Sequence, residues 1–447
     1  MKTYRSYLHI LLVTGLLGFG ACKTSINTPA PSRGTADFTR YISVGNSLTA
    51  GYADGGLYRE GQLNSYPSII AAQMQKVGGG TFTQPLFSTD QANGSGYLRL
   101  VGFNADGTPK TEQVTSNLAI RGQITVPGFG NVILYTKYTG DINNYGVPLI
   151  KLQQITYAPY GNLSGYFERL LPGNSPTNTT SYLDFVTAKP YTFFTDWLGN
   201  NDALLYAITG GADPNLRLTD KALFSQLYNL SITQLTKSGQ KGAVATIPDV
   251  VAVPYFTTVT VGAILAGVQK VNPAAKALYV NALNSDGSHS ARIATAADLI
   301  ILSFPTSMMG QPVAAAGNLP YGLTPLTPIE DKYVLDQGEV AMTQDYVNAY
   351  NATIKSVASS KGLAIFDAYA FLNDVKAHGL VVDGVNLSSA FISGGIFSLD
   401  GIHLTPRGYA VVANEFIKAI NKQYNASIPL ANVSSYRGVK FPGDNTK

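Results

Sequence analysis

The apolar positions of this chain change period several times, and the changes mark out its elements. Phe38 to Val44 is an apolar-rich run of strand length that breaks off in Gly45-Asn46-Ser47-Leu48-Thr49-Ala50-Gly51, which predicts a buried strand and a turn. From Pro67 to about Val77 the pattern is helical, with proline near the first turn. The alternation returns downstream, with strands predicted at Tyr191–Leu198, Ala243–Ile247 and Leu363–Phe366 and helices over Asp220–Lys237 and Asp336–Ser360. Thr405 is placed to cap a last helix that begins at Pro406. In that helix Tyr409, Val412, Ala413, Phe416 and Ile420 recur on one face, an apolar stripe for a sheet to cover. Strands alternating with helices predict an α/β fold, a parallel sheet flanked by helices.

Two stretches interrupt this rhythm. Residues 78–145 are rich in Gly, Thr and Asn, with short β-like pieces at Tyr97–Val101 and Val132–Tyr135; an insertion of β-hairpins is expected over about 78–142. Val250 to about Tyr333 is irregular with weak helix signals, and about 256–330 reads as a second insertion, either a lid over an apolar substrate or a decoration. The folded domain is therefore expected over 37–430, with a tail at 431–447.

Composition narrows the class. Charged residues are only 13% of the 447, and the net charge of +4 is not gathered into a basic stripe, which argues against a nucleic-acid partner. At the N-terminus Lys2 and Arg5 precede an apolar stretch, Ile10 to Phe19, of signal-peptide length and too short to span a bilayer, so 1–21 reads as a leader. Cys22 is the only cysteine, which excludes an internal disulfide and a CxxC metal or redox site. The small residues before it, in Phe19-Gly20-Ala21-Cys22, resemble a bacterial lipobox. That resemblance implies a lipidated Cys22, a flexible linker over 22–36, and an extracytoplasmic protein tethered to the bacterial envelope through this anchor alone.

Candidate chemistry lies at the ends of the predicted strands. Ser47 follows the first strand, where its hydroxyl would stand above the sheet edge near backbone N–H groups able to hold an oxyanion. Gly199-Asn200-Asn201-Asp202 ends another strand and brings the Asn201 carboxamide to the same edge. In Asp400-Gly401-Ile402-His403 a carboxylate three residues before an imidazole is placed to hold Nδ1–H and leave Nε2 free as a base. Of the other histidines, His9 lies in the leader, and His289 and His378 lack a matched carboxylate motif. Asp249, after Ile247-Pro248, reads as a loop cap rather than a cleft residue.

These blocks, in this order, resemble the SGNH (GDSL-type) hydrolases, and more narrowly their lipoprotein members that read Gly-Asn-Ser-Leu-Thr-Ala-Gly. The resemblance covers the segments around Ser47, Gly146, Asn201 and His403 and runs from about Phe38 to Tyr424. It implies a flavodoxin-like three-layer α/β/α sandwich and a carboxylic ester hydrolase needing no cofactor and no metal. Ser47 would be the nucleophile, His403 the base and Asp400 its orienter. The Ser47 N–H, the Asn201 side chain and one backbone N–H, from Gly146 or Leu149, would form the oxyanion hole. Asn46 stands where the family usually has Asp, as a turn former. Leu149 stands where it usually has Gly, at an angle glycine would favour. The substrate is expected to be a small-molecule, lipid or glycan ester. A long apolar groove would mark a lipase or esterase; an open cleft edged by Tyr, Trp197 and Asn would mark a deacetylase of acetylated glycans. The competing reading is a non-catalytic binding lipoprotein on the same scaffold, favoured by Leu149 alone.

Overall fold

A computed structural model of the protein describes residues 30–105, 107–284 and 286–443. The leader, Cys22 and the linker through residue 29 lie outside the described residues. Five strands form the central sheet: β1 (Tyr41–Gly45), β2 (Asn144–Gly146), β3 (Phe193–Trp197), β4 (Lys241–Ala245) and β5 (Ala364–Phe366). All their pairings are parallel, in the order β2-β1-β3-β4-β5. This is the flavodoxin-like order, whose switch point lies where β1 meets β3. Gly45 pairs with Gly146 on one side and Trp197 on the other, so the loops after β1, β2 and β3 leave the sheet at one level.

Seven helices frame the sheet and its C-terminal edge: α1 (Ser47–Ala50), α2 (Tyr66–Gln75), α3 (Asn201–Ala207), α4 (Lys221–Leu235), α5 (Gln337–Ser360), α6 (Ala368–His378) and α7 (Pro406–Tyr424). Their starts follow capping chemistry. Thr405 Oγ1 accepts the Gly408 N–H ahead of Pro406, and Asp336 and Glu339 form a reciprocal capping box at α5. Every residue of β1 and β3 is buried, as a parallel sheet covered on both faces requires. Neighbouring strand residues project to opposite faces. Trp197 packs on Phe416 of α7, which stacks on Tyr66 of α2, whereas Asp196 faces α4 at Tyr228. Phe224 and Tyr350 stack at 3.9 Å between ring centroids and join α4 to α5 on that second face. The result is three layers, α2 and α7 on one side of the sheet and α4 and α5 on the other.

Asp196 has no charged partner in this interior. It is 1% exposed, and neither carboxyl oxygen has a partner of hydrogen-bond geometry, although Tyr228 approaches it. Burial pushes its pKa up to about 7, against the smaller opposing influence of Tyr228 and the Leu198 N–H. A carboxyl raised on folding stabilises the fold while protonated, and that contribution is lost as pH rises from about 4, the unfolded value, through about 7. Asp196→Asn is neutral at every pH. The melting temperature of this variant relative to wild type is therefore expected to climb by a few degrees between pH 5 and pH 8, measured by circular dichroism. A difference that stays flat with pH would show that Asp196 is not the titrating group.

Strands β1, β3, β4 and β5 and the helices at 66–75, 221–235, 337–360 and 406–424 fall where the sequence pattern puts them. The first insertion is a pair of hairpins, Tyr97–Phe103 with Pro109–Val114 and Ile120–Val126 with Gly130–Tyr135. Four elements of the sheet and its framing helices are absent from the sequence pattern: β2, just past the end of that insertion, and the helices α1, α3 and α6. The irregular stretch after Val250 contains a helix, Val261–Val271, and a hairpin, Tyr279–Leu283 with His289–Ile293. The start of the C-terminal tail is docked on the domain, through Asn414 to both backbone groups of Ala431 and through Arg437 to Glu60. Among the described residues, no helix is long and apolar enough to cross a membrane.

Candidate active site

Ser47 opens α1 directly after β1, and Asn46 makes the turn. The Asn46 Oδ1 accepts the Leu48 N–H at 3.1 Å while its Nδ2 donates to the Trp197 carbonyl, so this residue joins the ends of β1 and β3 as a turn former. The Ser47 hydroxyl is 2.8 Å from His403 Nε2, across 356 residues of sequence. His403 Nδ1 is 2.9 Å from Asp400 Oδ2, and both side chains are 13% exposed. Tyr52 lies against the imidazole, its ring centroid 4.5 Å away, and restricts the ring's tilt.

Asp400 is held as an acceptor on both oxygens. Oδ1 receives the Ile402 and His403 N–H groups and the Ser398 hydroxyl; Oδ2 receives the Gly55 N–H besides the imidazole. Burial would raise this carboxyl, but the charge and hydrogen bond of His403, with the two backbone donors of its own turn, hold it well below the usual carboxylate range. The turn is tight. A Cβ on Gly401, at φ +72°, would lie 2.9 Å from the Tyr255 N and the Leu302 side chain. The Tyr255 N–H donates to the Gly401 carbonyl and the Leu302 N–H to the Tyr255 carbonyl, so the base of the second insertion braces the turn carrying Asp400 and His403.

The third side of the site is the loop after β2. Asn201 Nδ2 donates to the Ile150 carbonyl at 2.9 Å, which uses one of its two hydrogens and leaves the other. Asp202 accepts the Leu152 N–H at 2.8 Å and the Thr219 hydroxyl at 2.6 Å, and pins the same loop to α3. Of the two candidate backbone donors, Gly146 is already engaged within the protein. Its N–H already donates to Asn144 Oδ1 at 2.9 Å, and a Cβ there would lie 2.3 Å from the Ala50 N, because strand and α1 are in contact. Among the described residues, the N–H groups of Ser47 and Leu149 have no acceptor in the protein. Leu149 does adopt the left-handed angle, φ +70°, and its side chain is 55% exposed, directed to solvent instead of packed on the loop.

Other sequence expectations find different places. Trp197 is buried, its indole N–H donating to the Thr246 carbonyl at 3.0 Å, and it lines an enclosed apolar cavity with Leu48 and Ile402 instead of edging an open cleft. Asp249 caps a short 3₁₀ turn through the Val251 N–H and is 3.4 Å from Gln344 Nε2, as a loop cap. His378 does have a carboxylate, Asp374 one helical turn earlier at 2.9 Å, but both are exposed on α6. Two residues beside the site, Asp54 and Ser398, went unnoticed in the sequence; the one available signal was the carboxylate of Asp54 in the Tyr52-to-Gly55 turn right after the nucleophile block.

A hydroxyl bonded to an imidazole whose second nitrogen rests on an ionised carboxylate is the arrangement that activates a serine as nucleophile. No family model matches the chain, and no curated protein matches its sequence. Two solved structures resemble it in part. One is LAE5, an α/β hydrolase enzyme from a lake metagenome, with 10% identity and a TM-score of 0.36 over 86% of this chain and 96% of that one. The other is a variant of Axe2, an acetyl-xylooligosaccharide esterase from Geobacillus, with 9% identity and a TM-score of 0.36 over 86% of this chain and 95% of that one. Neither likeness is close enough to carry a reaction from one chain to the other.

Proposed function

We propose that the protein is a serine ester hydrolase of the SGNH type. One observation carries the reading: His403 bridges Ser47 Oγ and Asp400 with two hydrogen bonds of 2.8 and 2.9 Å. In the first step His403 takes the Ser47 proton as Oγ attacks the ester carbonyl. The carbonyl oxygen gains the charge, held by the Ser47 and Leu149 N–H groups and the free Asn201 hydrogen. The tetrahedral intermediate collapses to an acyl-serine as His403 returns the proton to the leaving alcohol. Water then repeats the sequence, releasing the acid and restoring Ser47. Asp400 keeps the imidazole in the Nδ1–H tautomer throughout.

The acyl group we propose is short. An apolar cavity walled by Leu48 and Ile402, the chain neighbours of Ser47 and His403, and closed by Phe371 and Val412 measures about 70 Å³. That is roughly half of a cavity that takes benzene, about 150 Å³. We further propose that Cys22 tethers the enzyme to the bacterial envelope. The test is hydrolysis of p-nitrophenyl acetate, butyrate and octanoate, with a fluorophosphonate label located by mass spectrometry. Turnover falling with chain length and a label on Ser47 are expected; a wild-type protein with neither would reject the enzyme reading in favour of a binding scaffold. Asn201→Ala is expected to lower kcat by about 10²–10³-fold with KM little changed, since its free hydrogen serves the oxyanion and not the ground state. A loss confined to KM would remove Asn201 from the oxyanion hole.

A further inference from the structure

Beside the Asp400 loop sits a second buried carboxylate. Asp54 is 8% exposed and lies in the turn that follows α1, with a left-handed backbone, φ +53°. Its Oδ1 accepts the Leu399 N–H at 2.9 Å and its Oδ2 the Tyr58 hydroxyl at 2.7 Å. Its own N–H donates to Ser398 Oγ at 2.9 Å, and that hydroxyl in turn donates to Asp400 Oδ1 at 3.2 Å. The next residue, Gly55, donates its N–H to Asp400 Oδ2 at 2.8 Å. These bonds join the Asp54 turn to residues 398–400, on segments 344 and 345 residues apart in sequence.

The nucleophile and the acid–base pair reach the site on two separate loops, and nothing covalent fixes their spacing. From these contacts we infer that Asp54 is a positioning residue for the reaction: a clamp that locks the Asp400 loop onto the Ser47 loop and sets the angle at which Asp400 meets His403. The inference rests on the esterase reading for its kinetic consequence but not for its geometry. Asp54 touches no reacting atom; it acts through Leu399, Ser398 and Asp400. The clamp is itself braced from outside, since Tyr58 stacks on Tyr97 at 4.2 Å and Arg437 of the tail pairs with Glu60 two residues beyond Tyr58. Asp54 and Asp400 repel one another, so two acidic side chains at this turn need a reason. Here each has its own donors, and the links between the two segments are the Leu399 N–H to Asp54, the Ser398 hydroxyl and the Gly55 N–H to Asp400.

The experiment compares Asp54→Ala, Asp54→Asn and Ser398→Ala in the purified full chain, reading kcat and KM separately and recording the low-field proton resonance of His403 Nδ1–H. Asp54→Ala loses both acceptors and is expected to lower kcat by about 10–100-fold while KM stays within about threefold, and to shift or broaden the low-field resonance. Asp54→Asn retains an acceptor for the Leu399 N–H and is expected to recover most of that loss. Ser398→Ala, which removes only the bridging hydroxyl, is expected to cost kcat about tenfold and covers the case in which Asp54→Ala fails to fold. Unchanged kcat and an unchanged resonance in folded Asp54→Ala, or in Ser398→Ala should Asp54→Ala not fold, would overturn the clamp. So would equal losses in kcat and in folded fraction across all three. A wild-type protein that shows the resonance but neither turnover nor label would instead defeat the esterase reading and leave the clamp standing.

Discussion

Ser47→Ala is expected to lower kcat for p-nitrophenyl acetate by about 10⁵–10⁶-fold and to abolish fluorophosphonate labelling, with the fold intact. The size of the loss reflects what the hydroxyl does. In the proposed reaction it supplies the atom that bonds to the acyl carbon, so its removal would end the two-step route and leave only direct attack by water beside the oxyanion donors. That remainder is expected to exceed the uncatalysed rate by some 10³-fold, because the N–H groups of Ser47 and Leu149 and the Asn201 carboxamide are untouched. Stability should hardly move. Ser47 Oγ makes one hydrogen bond, to His403, while α1 is fixed by the Asn46 cap, the Tyr52 N–H to the Ser47 carbonyl, and Thr49 bonded to Tyr66. A circular-dichroism melt within a degree or two of wild type, beside lost turnover, would isolate chemistry from folding. Activity retained at a tenth or more would reject Ser47 as the nucleophile.

How much of the fold and site was legible in the sequence depends on how local each signal is. Strands β1, β3, β4 and β5 lie in apolar-rich runs, and the sheet buries them between two helical layers, so pattern and structure agree. β2 escaped because Asn144-Tyr145-Gly146 is three residues long and starts with a polar side chain. It is buried because Asn144 is satisfied there, its Nδ2 bonding to the Thr49 carbonyl and to Gln84. Trp197 is a case the sequence left open: an amphipathic ring suits a cleft edge or a core, and the structure buries it with its N–H on the Thr246 carbonyl. Ser47, Asp400 and His403 were found because each sits in a short block with its own local logic. Asp54 and Ser398 were not, because the bonds that join their two segments span 344 and 345 residues and no spacing rule connects them. The choice between Gly146 and Leu149 was likewise beyond the sequence, since it turned on which N–H the Asn144 side chain had already taken.

Asp400→Asn tests the electrostatic half of the site and should fail in a different way from Ser47→Ala. An amide group presents one acceptor and one donor where Asp400 now offers two acceptors. With NH₂ in place of Oδ2 it would face the Gly55 N–H, which wants an acceptor, and His403 Nδ1. The imidazole resolves the second conflict by moving its proton to Nε2, where it points at Ser47 and cannot receive the hydroxyl proton. A kcat loss of about 10⁴-fold near neutral pH is expected, with KM little changed and Ser47 still present but slow to label. The stability change has its own signature. Because the folded protein holds Asp400 well below the usual carboxylate range, its contribution is present above the unfolded value, about 4, and is lost as pH falls through the folded one. Asp400→Asn should therefore melt below wild type at pH 7, and that gap should begin to close only as the pH falls below about 4. This is the reverse of Asp196→Asn, whose advantage grows with alkalinity. Two buried aspartates in one fold, one held ionised by its donors and one kept protonated for want of them, should thus give melting curves of opposite pH dependence. Parallel curves for the two variants would mean that the donors around Asp400 do not stabilise its charge, and the tautomer argument would fall with them.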